Sequence, residues 1–160
     1  MTTAIDSGQV RVASGSQYGG YSRTLGRTTV EVGVIHRTYR ADYSDEYAPD
    51  FTEFYAGVSQ GKFSARVFLS PHYVPGRFSV YTETDAELFE RHGWSLAAHA
   101  GLRLTQRNGP PISTETTKFD WALRAEKTLG RFGIGATLSG VATKDGVESP
   151  RVAVSAHFAF

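Results

Sequence analysis

Residues 51–70, FTEFYAGVSQGKFSARVFLS, alternate regularly enough to specify both an element type and a facing. Thr52, Phe54, Ala56 and Val58 fall on one side of an extended strand, and Glu53, Tyr55, Gly57 and Ser59 on the other. After Gln60-Gly61 the alternation resumes, with Phe63, Ala65, Val67 and Leu69 opposed to Ser64, Arg66 and Ser70. A period of two on both arms is the signal of paired strands, and a two-residue connection containing Gly is what joins them. A turn at Gln60-Gly61 pairs Ser59 with Lys62, which predicts Phe54 opposite Val67, Ala56 opposite Ala65 and Tyr55 opposite Arg66. A slip by one residue would exchange the two faces.

The same pattern runs along the chain. Nine strands are expected, over 9–25, 28–40, 51–60, 62–70, 78–90, 94–105, 118–128, 131–142 and 151–160. The first reads as weak, with a bulge at Gly19-Gly20, and residues 1–8 are short on pattern and expected to be mobile. Connections alternate between short and long. Short turns fall near 26, 60, 92 and 130, and longer loops at 41–50, 71–77, 106–117 and 143–150. An up-and-down meander puts all the short turns on one rim and all the long loops on the other, as in bacterial outer-membrane barrels.

Each strand also has one face almost free of charge. A soluble lipocalin-like barrel would turn that face inward, and a membrane barrel outward. The alternation is symmetric between the two, and three features favour the membrane. The last strand carries Val152, Val154, Ala156, Phe158 and Phe160 on one face, as in the C-terminal strands by which barrels are recognised for assembly. Aromatics cluster near strand ends: Phe63 and Trp94 beside short turns, and Tyr39, Tyr73, Tyr81, Phe119 and Trp121 toward the long loops, a two-girdle layout. The other face holds both signs of charge: Glu31, Arg37, Glu53, Arg66, Glu83, Asp85, Glu87, Arg103, Asp120, Arg124 and Glu126. In a narrow lumen such groups must neutralise one another, because an unpaired buried charge is costly.

The expectation is an all-β, antiparallel transmembrane β-barrel of about 8–10 strands over residues 1–160, with short periplasmic turns and longer extracellular loops. Phe54, Val67, Leu96, Leu123, Ile134 and Val154 should point outward, and Glu53, Arg66, Asp85, Arg103 and Arg124 inward. Nine strands would leave the first on the wrong rim, since single-chain bacterial barrels have an even number.

Two blocks carry a family resemblance. FTEFYAGVSQGKFSARVFLSPHY (51–73) resembles the signature hairpin of the Gcw_chp family, and KFDWALRAEKTLGRFGIGATL (118–138) resembles its second hairpin, with Phe119 where that pattern carries Thr. The likeness covers residues 20–160. It implies a bacterial outer-membrane β-barrel and supplies no established activity.

Composition narrows the function classes. The chain has 160 residues, 40% of them hydrophobic, and a net charge of +1, which indicates neither disorder nor a polybasic nucleic-acid surface. It has no cysteine, so neither a disulfide nor a thiolate metal site is available. No apolar run is long enough for a transmembrane helix. MTTAIDSGQV has no signal-peptide pattern, which for an exported protein implies a mature form or a truncated reading frame.

The five histidines, His36, His72, His92, His99 and His157, show no ligand spacing on one strand face. A turn over 91–93 sets His99 opposite Asp85. With Ser95 nearby this invites a hydrolase reading, but an interior ion pair is the simpler one. The glycines near 19–20 and 133–135 lack a phosphate-loop form and read as close-packing positions beneath Arg124 and its neighbours. Tyr43, Tyr47, His72, Tyr73 and Pro110-Pro111 are loop residues able to touch an external ligand.

The functional expectation is therefore a non-enzymatic outer-membrane barrel, structural or porin-like for small solutes. It needs no cofactor or metal and has no nucleic-acid partner. Its partners are outer-membrane lipid and the barrel-assembly machinery, the latter through Phe158 and Phe160. The alternatives are a barrel enzyme acting on lipid or peptide, and a lipocalin-like ligand-binding barrel.

Overall fold

The computed structural model describes residues 2–6, 9–39, 50–74, 76–107 and 114–158. They form eleven strands: β1 (Thr2–Asp6), β2 (Gln9–Leu25), β3 (Thr28–Tyr39), β4 (Phe51–Gln60), β5 (Phe63–Val74), β6 (Arg77–Arg91), β7 (Trp94–Arg107), β8 (Thr114–Leu129), β9 (Phe132–Thr143), β10 (Gly146–Val147) and β11 (Arg151–Phe158). All belong to one antiparallel meander sheet in chain order. β10 pairs with Ala142 and Thr143, and β11 with Phe132 to Ser139, so both lie along the same edge of β9 and fill one strand position. Among the described residues there is no helix.

The expected strands are present, with differences at their ends. Residues 2–6 add a strand where a mobile segment is expected. The expected loop over 71–77 is mostly strand, since β5 runs to Val74, β6 begins at Arg77, and a register shift between Ser70 and Val74 absorbs the irregularity. β2 pairs with β3 without interruption through Gly19 and Gly20, so the bulge expected there is absent. The expected loop at 106–117 is strand at both ends, since β7 runs to Arg107 and β8 begins at Thr114; residues 108–113, like nearly all of the expected loop at 41–50, lie outside the described residues.

Turn chemistry corrects the register. In the opening hairpin Gln60 pairs with Phe63, Ala56 with Val67 and Tyr55 with Phe68, two residues away from the expected pairing. The turn is Gly61-Lys62, and Gly61 takes φ 58° at its first central position. That is where a type II′ turn needs glycine, whereas the expected pairing put Gly at the second. The β8–β9 turn repeats this: Gly130 has φ 63°, Leu129 pairs with Phe132, and Arg124 faces Thr137 rather than Gly135. At β6–β7 the outcome differs. His92 and Gly93 both have positive φ (52° and 75°), the type I′ pattern, and the turn has two residues rather than three. A bulge at Leu88 then restores the expected pairing of Asp85 with His99. Shifts of two, unlike shifts of one, leave every side chain on its expected face.

The sheet is not a closed barrel. Among the described residues no pairing joins β11 to β1 or β2. The first edge is made by β1 at the loop side and by β2 below it; β2 runs parallel to β11, from the loop side to the turn side, whereas β1 runs antiparallel to it.

The sheet is nonetheless curled. Neighbouring strands lie about 4.8 Å apart, yet Glu31 on β3 bonds Arg66 on β5, Tyr81 on β6 bonds Asp120 on β8, and Arg103 on β7 comes within 3.9 Å of Glu53 on β4. These contacts define an inner face. Its deepest groups are polar: Glu53, Ser70 and Ser79 are 2%, 1% and 1% exposed. The outer face is apolar and exposed, with Val32, Phe54, Leu123, Ile134 and Val154 all open to the surroundings. Val67 and Leu96 share that face by register, so the expected facing of both sets is observed.

Candidate functional site: the polar inner face

A row of aromatics crosses the middle of the inner face. Tyr55, Phe68 and Tyr81 are direct cross-strand partners on β4, β5 and β6, with ring centroids 5.8 and 5.9 Å apart. Both ends of the row lie over glycine. A Cβ on Gly33 would sit 2.6 Å from the Tyr55 ring, and one on Gly101 would collide with the Tyr81 hydroxyl. The large rings therefore lie flat over strands that have no side chain there, and the glycines are close-packing positions. Of the glycines expected to pack closely, Gly20 lies against the Tyr55 hydroxyl, Gly133 under His157 and Gly135 beside Ser155, whereas a Cβ on Gly19 would meet nothing, and none lies beneath Arg124.

On the loop side of this row lies a sealed polar cluster. Glu53 accepts from Arg37 Nε at 2.8 Å and from Ser70 Oγ at 3.0 Å, with Arg103 at 3.9 Å. Arg103 donates to Ser79 Oγ at 3.2 Å and places its guanidinium 4.8 Å from the Tyr73 ring centroid and 4.7 Å from that of Tyr81. Phe51 packs edge-on against Tyr73 at 5.1 Å. A charge this deep persists only with several partners, and Glu53 has them.

Two further networks lie level with the row and toward the turns. Arg66 bridges Glu31 at 2.5 Å and Glu83 at 3.4 Å, in the space left by Gly57. His99 is held by Asp85 on Nδ1 at 2.8 Å and by Asp120 on Nε2 at 3.1 Å, while the Tyr81 hydroxyl donates to Asp120 at 3.0 Å. Both ring nitrogens are thus occupied, and neither is free to act as a base toward Ser95, which is paired instead with Glu90 and Glu126. No group of three or more His, Cys, Asp or Glu among the described residues is arranged to hold a metal ion.

The turn-side end is looser. A recess of about 470 Å³ there is lined by Lys62, Asp85, Glu87, Glu90, Arg124 and Glu126 among others. Lys62 bonds Glu87 at 2.6 Å, and His157 approaches Glu126 at 3.7 Å. Arg124 is exposed and has no ion pair or hydrogen bond among the described residues, contrary to the expectation that every lumen charge is neutralised.

The outer aromatics divide. Phe63, Trp94 and Phe119 are exposed on the apolar face, with Lys127 Nζ 5.2 Å from the Trp94 ring centroid, and Trp121 lies over Gly140. Tyr81, expected in the same girdle, belongs to the inner row, as does Tyr73 to the inner cluster. Their ring and hydroxyl partners are inner-face groups; the parity of Tyr81 already matched the charged face, whereas that of Tyr73 matched the apolar one, and the irregularity between Ser70 and Val74 accompanies its inward turn. Phe158 is exposed opposite Phe132; Phe160 lies outside the described residues, as do Tyr43, Tyr47 and Pro110-Pro111.

Sequence reasoning missed the aromatic row and the buried hydroxyls. The signal for the row was present: Tyr55, Phe68 and Tyr81 are large rings on strand faces that otherwise carry Glu, Arg and Ser. Ser70 and Ser79 became visible only once the stretch around 71–77 proved to be strand, which pairs them directly.

No curated protein and no solved structure matches the chain. Residues 2–150 match Gcw_chp, described as a bacterial protein of unknown function, a span that ends just before β11. With all but the first residue and the last ten covered, the chain belongs to the Gcw_chp family.

Proposed function

We propose that this protein is an outer-membrane β-barrel, lipid-facing on its apolar side, whose polar inner wall serves a structural role or a narrow passage for small solutes. One observation carries the reading: the sheet is partitioned in the opposite sense to a soluble protein. Large apolar side chains such as Val32, Phe54 and Ile134 are exposed, while Glu53 is almost fully buried among polar partners. Contiguous apolar surface on this scale marks contact with membrane or protein, and alternation of apolar-out with polar-in is the pattern of membrane barrels. A lipocalin-like barrel would bury Phe54 and expose Glu53. An enzyme reading gains no support from His99, whose nitrogens both have partners. The self-neutralised cluster around Glu53 favours the structural role, and the open turn-side recess is the feature that favours solute passage.

The test uses the two tryptophans, both on the outer face, in reconstituted vesicles. Trp121, away from the short turns, should be quenched by lipids brominated along the acyl chain, and Trp94, beside the turn, by lipids brominated near the headgroup. Full quenching of both by a water-soluble quencher, with no effect of brominated lipid, would overturn the membrane reading. Single-channel recording then separates the roles: a steady conductance supports passage, and its absence supports the structural role.

A further inference from the structure

A second recess, at the loop-side rim, holds chemistry that the networks above leave unused. It is a cavity of about 230 Å³, with Arg103, Thr105, Lys118, Thr143, Lys144 and Asp145 on its wall beside Tyr73. Lys118 stands directly opposite Arg103 across β7–β8 and opposite Thr143 across β8–β9. Like charges in direct cross-strand register are destabilising. Arg103 is drawn aside onto Ser79, Tyr73 and Tyr81. Lys118 and Lys144 have no side-chain hydrogen bond or ion pair among the described residues, and neither has the carboxylate of Asp145, whose backbone N–H donates to Thr143 Oγ1 at 3.3 Å.

A separate observation points to a ligand. Thr105 is 5% exposed, and its hydroxyl has no hydrogen-bond partner among the described residues although it lines this cavity. A buried polar group without a partner is unusual and costly. The recess thus combines an unsatisfied buried hydroxyl with opposed cations, and both deficits are relieved by one anion with several acceptor oxygens.

We propose that this recess binds a phosphoryl group, either of a soluble phosphate ester or of a lipid headgroup. Three cationic side chains against one carboxylate leave an excess of positive charge, part of which Glu53 shares through Arg103. A tetrahedral oxyanion offers acceptors to Lys118, Lys144 and Thr105 together, where a carboxylate has one oxygen fewer. The volume is below the roughly 300–1,000 Å³ of sites for drug-sized ligands, which suits a phosphoryl group with few further atoms.

Thermal unfolding of the full chain in detergent, followed by tryptophan fluorescence, tests the soluble arm with inorganic phosphate against chloride at equal ionic strength. Phosphate should raise the melting temperature. Lys118→Gln/Lys144→Gln should weaken that response roughly tenfold or more in concentration, as loss of charge-assisted hydrogen bonds requires. Thr105→Val, which keeps the shape and removes the hydroxyl, should weaken it less. Without phosphate, Lys118→Gln should melt no lower than the parent, because it removes repulsion from Arg103, and this separates a binding defect from a folding defect. The lipid arm uses vesicles with and without phosphatidic acid and rests on the membrane reading; the soluble arm does not. Protection by phosphate in detergent identifies a soluble ester, and protection by phosphatidic acid alone identifies a headgroup. Equal responses to phosphate and chloride with no effect of phosphatidic acid, or an undiminished response in the double variant, would overturn the proposal.

Discussion

Glu53 and Glu126 occupy equivalent kinds of position, each on the inner face of a long strand, and the molecule treats them in opposite ways. Glu53 is 2% exposed and held by Arg37, Ser70 and Arg103. Glu126 keeps contact with the recess, and its partner is His157 at 3.7 Å. The aromatic row of Tyr55, Phe68 and Tyr81 separates the two halves. On the loop side the deepest charges, Glu53 and Arg103, have converging partners, so the stability of that cluster depends on each member. On the turn side water can solvate what the protein does not, so a charge such as Arg124 needs no partner. Solvent access therefore decides which inner-face charges matter for stability.

The largest test of this contrast is Glu53→Ala. It leaves Arg37 and Arg103 facing an uncompensated hole and should cost about 3–5 kcal/mol, the usual result of breaking a buried pair, read as a lower melting temperature in detergent. A loss close to zero would mean that the loop-side half is hydrated and the contrast false. Next, Phe68→Ala removes the middle ring of the row, which is 8% exposed. About 3 kcal/mol is expected, and equilibrium unfolding in urea would measure it. Arg66→Ala stands between the halves. Its side chain is 36% exposed, so screening limits the cost to about 1 kcal/mol.

Arg124→Ala should leave the melting temperature unchanged within about a degree, because no described partner loses a bond. The sequence pattern alone leads to the opposite expectation, so this variant discriminates sharply, and a drop comparable to that of Glu53→Ala would restore the uniform lumen. The smallest effect belongs to Lys62→Gln. The hydrogen bond from Lys62 to Glu87 raises the lysine's pKa above its ordinary value. A raised folded value means that any stabilisation is present at neutral pH and lost as pH climbs through that value. The melting difference between parent and variant should thus be slight at pH 7 and shrink under alkaline conditions; a difference that grew would contradict the pairing.

The strands and the facing of their residues were legible in the sequence. Phe54, Val67, Leu96 and Ile134 share one face, and Glu53, Arg66, Asp85 and Arg103 the other, because the pleat sends successive side chains to opposite sides whatever the strand pairs with. The pairing of Asp85 with His99 was also legible, though it arises from a two-residue turn and a bulge at Leu88 rather than the three-residue turn expected. Other partners were not. Tyr55 meets Phe68 instead of Arg66 because Gly61 takes the first turn position. Arg66 reaches Glu31, and Tyr81 reaches Asp120, because the sheet curls far enough for alternate strands to touch. Facing survives any shift of two residues, so local alternation determined it alone. The identity of the other ion pairs, the sealing of Glu53 and the failure of the sheet to close depend on turn type, bulges and curvature, which act between strands, and only the tertiary structure decided them.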